Sequence, residues 1–278
     1  MGRFNNPVLE KEFKLRFRTG KSFLGLLFYL ASIAIVVTGT VTIQFLSSNY
    51  GYLRPAESRS IFYFLSLLQL VLVLFMTPGL TAGAVSGERE KQTLNILLTT
   101  TQSSFSIIIG KLIASVSYML VLLFSSLPFY SFVFLYGGIS PGQLLSVFFL
   151  YLVNVLAIGG LGVMFSTLIR KTVVSMITTY GVMLFLSLGT AILAAITTAL
   201  GNAMNSGASF HPVPYAFTAL NPFACMLSIL EPSALETMGI QFFHLYVPLW
   251  IPFILVYSGI FVLTLFVAVK RLRPKMKS

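Results

Sequence analysis

Apolar residues fall in six long runs, at roughly 22–46, 61–84, 107–136, 143–168, 173–200 and 247–269. Each has the ~20 residues needed to cross a bilayer core as a helix. None carries an uncompensated charge near its middle. In lipid, helices satisfy every backbone N–H and C=O internally. The pattern therefore predicts an all-α membrane protein with six transmembrane helices, forming one transmembrane domain over 1–278. Composition removes the soluble globular alternative, since 56% of residues are hydrophobic and only 9% charged.

The segments between the runs have characters of their own. Residues 5–21 predict a helix lying on the membrane. Leu9, Phe13 and Phe17 share one face, and Lys11, Lys14, Arg18 and Lys21 share the other. Asn6 is placed to cap it and Pro7 suits its first turn. Thr77-Pro78-Gly79 predicts a kink or a broken last turn in the second span. Gly159, Gly160 and Gly162 in the fourth span let another backbone come close. The long connection 201–246 holds no Lys or Arg but continues with aromatic, apolar and proline residues. It predicts short helices that dip back toward the membrane under cover of protein.

Charge supplies orientation. Of the eighteen Lys and Arg, sixteen fall on one side of the six spans: in the leader, the 85–106 loop, Lys111 just inside the third span, the Arg170–Lys171 turn and the tail. Only Arg54 and Arg59 fall on the other. Basic residues stay cytoplasmic, so both termini are expected inside. The net charge of +11 is accounted for by topology and anionic lipid, and no nucleic-acid partner is expected. The leader shows no small-residue cleavage pattern of a signal peptide. Cys225 is the single cysteine, which excludes an intrachain disulfide.

Catalytic chemistry is not visible. The seven acidic residues avoid the middles of the spans, so no intramembrane ion-coupling site is expected. Asn154 reads as an interhelical hydrogen-bond partner. Gly110-Lys111 is followed by Leu112 and preceded by Phe105 where a phosphate-binding loop needs Gly. His211 and His244, the only histidines, lack metal-ligand spacing. No metal site and no enzymatic activity are expected. If the chain moves a solute actively, another subunit supplies the energy.

The 85–106 loop is the informative segment. Ser86 is a candidate helix cap, and Glu88 and Glu90 sit where the helix dipole favours acids. Leu94, Leu97 and Leu98 give an apolar side. The segment predicts a short amphipathic helix, either solvated or docked to a partner.

The run Ser86-Gly87-Glu88-Arg89-Glu90-Lys91-Gln92-Thr93-Leu94, then Leu97-Leu98-Thr99-Thr100 and Gly110-Lys111-Leu112, resembles the signature region of the ABC type 2 permeases. The Asn6-Pro7-Val8-Leu9 leader, the six spans and the long outer loop fit the same family. Thr101 departs from it, since many members carry proline there. The resemblance implies a membrane permease subunit of an ABC exporter in a bacterial plasma membrane. It implies a second permease protomer, identical or paralogous, and separate ABC ATPase subunits that hold ATP and magnesium. It makes the 86–100 segment a coupling helix, with Glu88, Arg89, Glu90, Lys91, Thr93 and Leu94 docking the ATPase. Charge reversal at Glu88 and Glu90 is then expected to uncouple hydrolysis from transport in a folded permease. The fifth span is rich in small residues, and its side carrying Gly181, Ser187 and Gly189 is expected at the protomer interface or pathway. A non-energised channel or membrane scaffold is the alternative.

Overall fold

The computed structural model describes residues 7–18, 20–47, 55–94, 102–204, 212–232 and 248–272. Among them there is no strand, and six helices are long and apolar enough to cross a membrane. Asn6, Arg54, the 95–101 part of the coupling segment, His211 and His244 lie outside the described residues.

The elements in chain order are α1 (Pro7–Phe17), α2 (Gly20–Ser47), α3 (Pro55–Thr81), α4 (Ser86–Glu90), α5 (Ser104–Ser125) and α6 (Leu127–Leu135). They continue as α7 (Pro141–Leu168), α8 (Thr172–Leu184), a π-helical turn (Phe185–Gly189) and α9 (Thr190–Met204). The last three are α10 (Pro212–Leu220), α11 (Pro222–Leu230) and α12 (Trp250–Leu272). Local chemistry sets several boundaries. Ser103 Oγ accepts the Ser106 N–H to cap α5, and Ser140 Oγ accepts the Gln143 N–H to cap α7, with Pro141 in the first turn. The third span breaks at Ser126, where Pro128 in the next turn cannot donate. Gly137 and Gly138 then turn the chain at φ of +78° and +91°. At Gly138 even a Cβ would overlap the Pro55 carbonyl.

The second, third and fourth spans form the centre. Half to two thirds of their apolar windows are buried (50%, 67% and 56%), against 17%, 17% and 22% for the first, fifth and sixth. The α7 helix is the hub, packed against α12, α3 and α5. Its glycines admit two neighbours at once. Gly160 faces Thr264 and Phe261 of α12, while Gly162 faces Thr81 and Ala82 at the end of α3. Lipid tails are as apolar as leucine, so such close packing and interhelical hydrogen bonds hold the bundle. The Gln69 amide donates to Ser126 Oγ (2.9 Å), and the Tyr151 hydroxyl donates to the Ser66 carbonyl (2.8 Å). Asn154 differs from expectation: it is fully buried, and its amide turns back to Leu150 O of its own helix (2.9 Å).

Pro78 lies inside α3. Helix α3 runs through that residue and loosens only after Thr81, over 82–85, before α4 resumes. The long connection contains α10 and α11, apolar helices bent by 89° at Asn221. Asn221 Oδ1 caps α11 by accepting from the Phe223 and Ala224 N–H groups (2.8 and 3.1 Å). The Asn221 amide reaches the fifth span, donating to Ser187 O and Thr190 Oγ1. The Leu230 carbonyl at the other end of α11 accepts from Tyr63 (2.6 Å) and Gln143 (2.9 Å). The hairpin is thereby tied to the second, fourth and fifth spans.

Candidate functional site at the basic end of the bundle

Four charged side chains from three segments meet where α1 crosses the start of α5. Lys111 is 2% exposed. Its Nζ pairs with Glu12 Oε1 of α1 at 2.7 Å and with Glu88 Oε1 of α4 at 2.9 Å. Arg16, one turn beyond Glu12, donates from Nη2 to the Leu80 carbonyl at 2.8 Å. Burial pulls the Arg16 guanidinium below its ordinary pKa, and Glu12 works against that fall. The node thus balances two cations with two carboxylates. A buried ion pair holds where each charge meets its partner and is costly to break singly. Ser115 Oγ also approaches Leu80 O (3.4 Å), beside the point where α3 loosens.

The 85–90 segment is fastened on its other side to the fourth and fifth spans. Ser166 Oγ accepts the Val85 and Ser86 N–H groups at 2.8 and 2.9 Å. Arg89 Nη2 donates to the Thr167 carbonyl at 3.1 Å. Glu90 accepts the Thr172 N–H at Oε1 (2.8 Å) and the Thr172 hydroxyl at Oε2 (2.6 Å). Ser86 is therefore no cap. Its hydroxyl is buried against Ala82 O and Ser166, and Val85 holds the cap position without a side-chain bond. Helix α4 stops at Glu90. Gln92 takes φ of +58°, and the Thr93 N–H returns to Glu88 O (2.9 Å).

Of the six residues expected at a docking surface, three carry their charge into contacts within the chain: Glu88, Arg89 and Glu90. Leu94 is buried at 6% exposure. Glu90, Lys91 and Thr93 are exposed, as is Gln92 between them. Reversing Glu88 would set a second cation beside Lys111, so that variant perturbs the fold as well as any docking.

The fifth-span residues separate. Gly181 is exposed, with open space around it. Ser187 is 3% exposed and faces inward, its carbonyl accepting from Asn221. Gly189 is half-buried, and a Cβ there would press on the Phe185 ring. Exposed apolar residues flank Gly181, among them Ile177, Leu184 and Leu188.

Sequence reading overlooked Lys111 as a partner for Glu12 and Glu88. It also overlooked Gly79, Gly83 and Gly87. These recur every four residues and receive Tyr180, Met176 and Thr172, themselves four apart. That spacing was a readable sign of close helix approach. On the opposite end, α7, α11 and α12 line a half-open apolar pocket of about 360 Å³, with Trp250 and Phe149 in its wall. Its lining suits a hydrocarbon chain. Among the described residues no group of His, Cys, Asp and Glu can hold a metal ion.

A family model described as ABC-2 family transporter protein matches residues 8–266. No curated protein matches the chain.

Proposed function

The chain belongs to the ABC-2 transporter family, and from that membership we propose that it is an export permease driven by separate ATPase subunits. It is a multi-pass membrane protein and the permease subunit of an ABC transporter. The observation that supports the fuller reading is the fastening of α4 to α5, α7 and α8, and through Lys111 to α1, at one end of the bundle. A partner pressing on the exposed Glu90–Thr93 turn would load several spans together. Such a rigid transfer switches a transporter between two global states.

ATP and magnesium sit on the ATPase, and the docking set is Glu88, Arg89, Glu90, Lys91, Thr93 and Leu94. Within it, the exposed Glu90, Lys91 and Thr93 make the contact, and the half-buried Glu88 and the buried Leu94 shape the turn from behind. A second permease protomer, identical or paralogous, packs on the fifth span around Gly181, with Gly189 at the edge and Ser187 bracing from within. Membrane lipid covers the remaining exposed apolar faces. The protein resides in a bacterial plasma membrane with both termini cytoplasmic.

Purification of the tagged chain from its native membranes should bring down an ATP-hydrolysing subunit identified by mass spectrometry. Lys91→Glu should reduce that recovery several-fold, because Lys91 is exposed and its loss disturbs no ion pair of the node. Full recovery of the ATPase with Lys91→Glu counts against the docking turn, and absence of any ATPase from the parent preparation counts against the whole reading.

Orientation has its own test. In a Cys225→Ser background, cysteines at Lys91 and Lys275 should resist an impermeant thiol reagent applied to intact cells, and one at Asn205 should react. The distribution of Lys and Arg motivates the expectation. Outside labelling at position 91 would invert the topology.

A further inference from the structure

We propose that Glu90 is a positioning residue that passes movement of α4 to the fifth span, acting through Thr172 as a helix cap that engages and releases. The inference rests on the permease reading and adds a named contact to it.

The start of a helix leaves N–H groups without intrahelical partners and carries partial positive charge. At α8 the residue in the cap position is Lys171, which makes no side-chain cap bond. The acceptor comes instead from a residue 82 positions earlier in the chain. Glu90 takes both the Thr172 N–H and its hydroxyl. The fifth span therefore begins on a group that belongs to α4.

Two acids of α4 have different surroundings. Glu88 joins a buried lysine and is held. Glu90 is exposed, so water can replace Thr172 at modest cost. A buried ion pair resists separation, and an exposed hydrogen bond exchanges readily. Glu88 fixes α4 to the node, and Glu90 makes and breaks the link to α8.

The surface beside this link suits a sliding contact. Gly83 and Gly87 of the α3–α4 segment face Thr172, and Gly83 also faces Met176; Gly79 faces the Tyr180 hydroxyl. Glycines offer no side chains to interlock, so resistance to a shift of α8 along this edge falls mainly on Tyr180, whose ring packs on Phe75 and whose hydroxyl donates to the Phe75 carbonyl at 2.9 Å. The remainder of the span is weakly held, with 17% of its apolar window buried. A group that caps α8 in one state and leaves it in the other biases where that half-span sits.

The test uses the full transporter with its ATPase subunits in lipid vesicles. Spin labels replace Leu145 of α7 and Leu188 of the fifth span, both exposed, in a Cys225→Ser chain. Their separation is measured without nucleotide and with ATP and vanadate. The parent should show a nucleotide-dependent shift in the distance distribution. Glu90→Ala and Thr172→Val should each reduce the shifted population several-fold, and the double variant should be no worse than the stronger single. Thr172→Val keeps the methyl contact with Gly83 and should leave ATPase recovery unchanged. Adding Lys171→Asp to Glu90→Ala supplies a local cap. It should restore thermal stability without restoring the shift. Recovery of the shift by Lys171→Asp would show that Glu90 merely stabilises the helix, and would overturn the proposal. A normal shift in Thr172→Val would overturn it too. Loss of the ATPase from Glu90→Ala with a normal Thr172→Val would make Glu90 a docking residue only. Absence of an ATPase from the parent complex is a separate result, which sinks the permease reading itself.

Discussion

Lys111→Met should sharply reduce the folded yield of the protein and lower its thermal midpoint in detergent. Lys111 lies between Glu12 and Glu88 and is almost wholly buried. Removing the ammonium leaves two carboxylates facing each other across a space too dry to hydrate both. Breaking a buried pair from one side costs about 3–5 kcal/mol. The carboxylates keep 15% and 19% exposure, which puts the expected cost near the lower end of that range, roughly 3 kcal/mol. A neutral triple variant, Lys111→Met with Glu12→Gln and Glu88→Gln, should recover part of the loss because no carboxylate then lacks its cation, while Arg16 keeps its bond to the Leu80 carbonyl but loses Glu12 as its counter-charge. Thermal unfolding of the single and triple variants checks this. A Lys111→Met protein as stable as its parent would mean the node contributes nothing.

Gly162→Val should be nearly as damaging by a different route. A Cβ at 162 would sit inside contact distance of Thr81 Oγ1, 2.9 Å from Thr81 Cβ and 3.2 Å from the Ala82 backbone nitrogen. Rotating the threonine relieves only the first of these, so α7 and α3 must part. Overpacking of this kind costs about 1–3 kcal/mol, and here it also pulls at the Ser166 contacts with residues 85 and 86. Gly39→Val in α2 is the matched control, because nothing lies within 4 Å of a Cβ there. The measurement is monodisperse yield and thermal midpoint in detergent. Equal stability of the two valine variants would remove the close α3–α7 approach from the account.

The long-period features of this fold were legible in the sequence. Six spans follow from run length alone, and the glycines of the fourth span announced close packing before their neighbours, Thr81 and Thr264, were known. The caps at Ser103 and Ser140 obey local rules. What local reading could not reach is pairing between distant residues. Glu88 and Glu90 look alike two positions apart, yet one meets Lys111 inside the protein and the other meets Thr172 at its surface. Glu12 finds its lysine 99 residues away. The charge pattern that suggests a free docking face is the same pattern that builds an internal ion node, and only the packing of α1 on α5 separates them. Ser86 failed as a cap for a related reason. The preceding turns continue almost helically from α3, so no fresh helix starts there.

The π-helical turn at Phe185–Gly189 changes the phase of the fifth span. An α-helix advances about 100° per residue, and a π turn takes one residue more than an α turn. The half after the turn is therefore rotated relative to where an unbroken helix would place it. The half before it points Thr172, Met176 and Tyr180 at the glycine edge of the α3–α4 segment, and the half after it points Ser187 and Thr190 at Asn221. A strictly periodic helix would have to satisfy both neighbours with one azimuth. The extra residue gives the two ends separate headings, so the first half can answer to α4 while the second keeps its bearing on the α10–α11 hairpin.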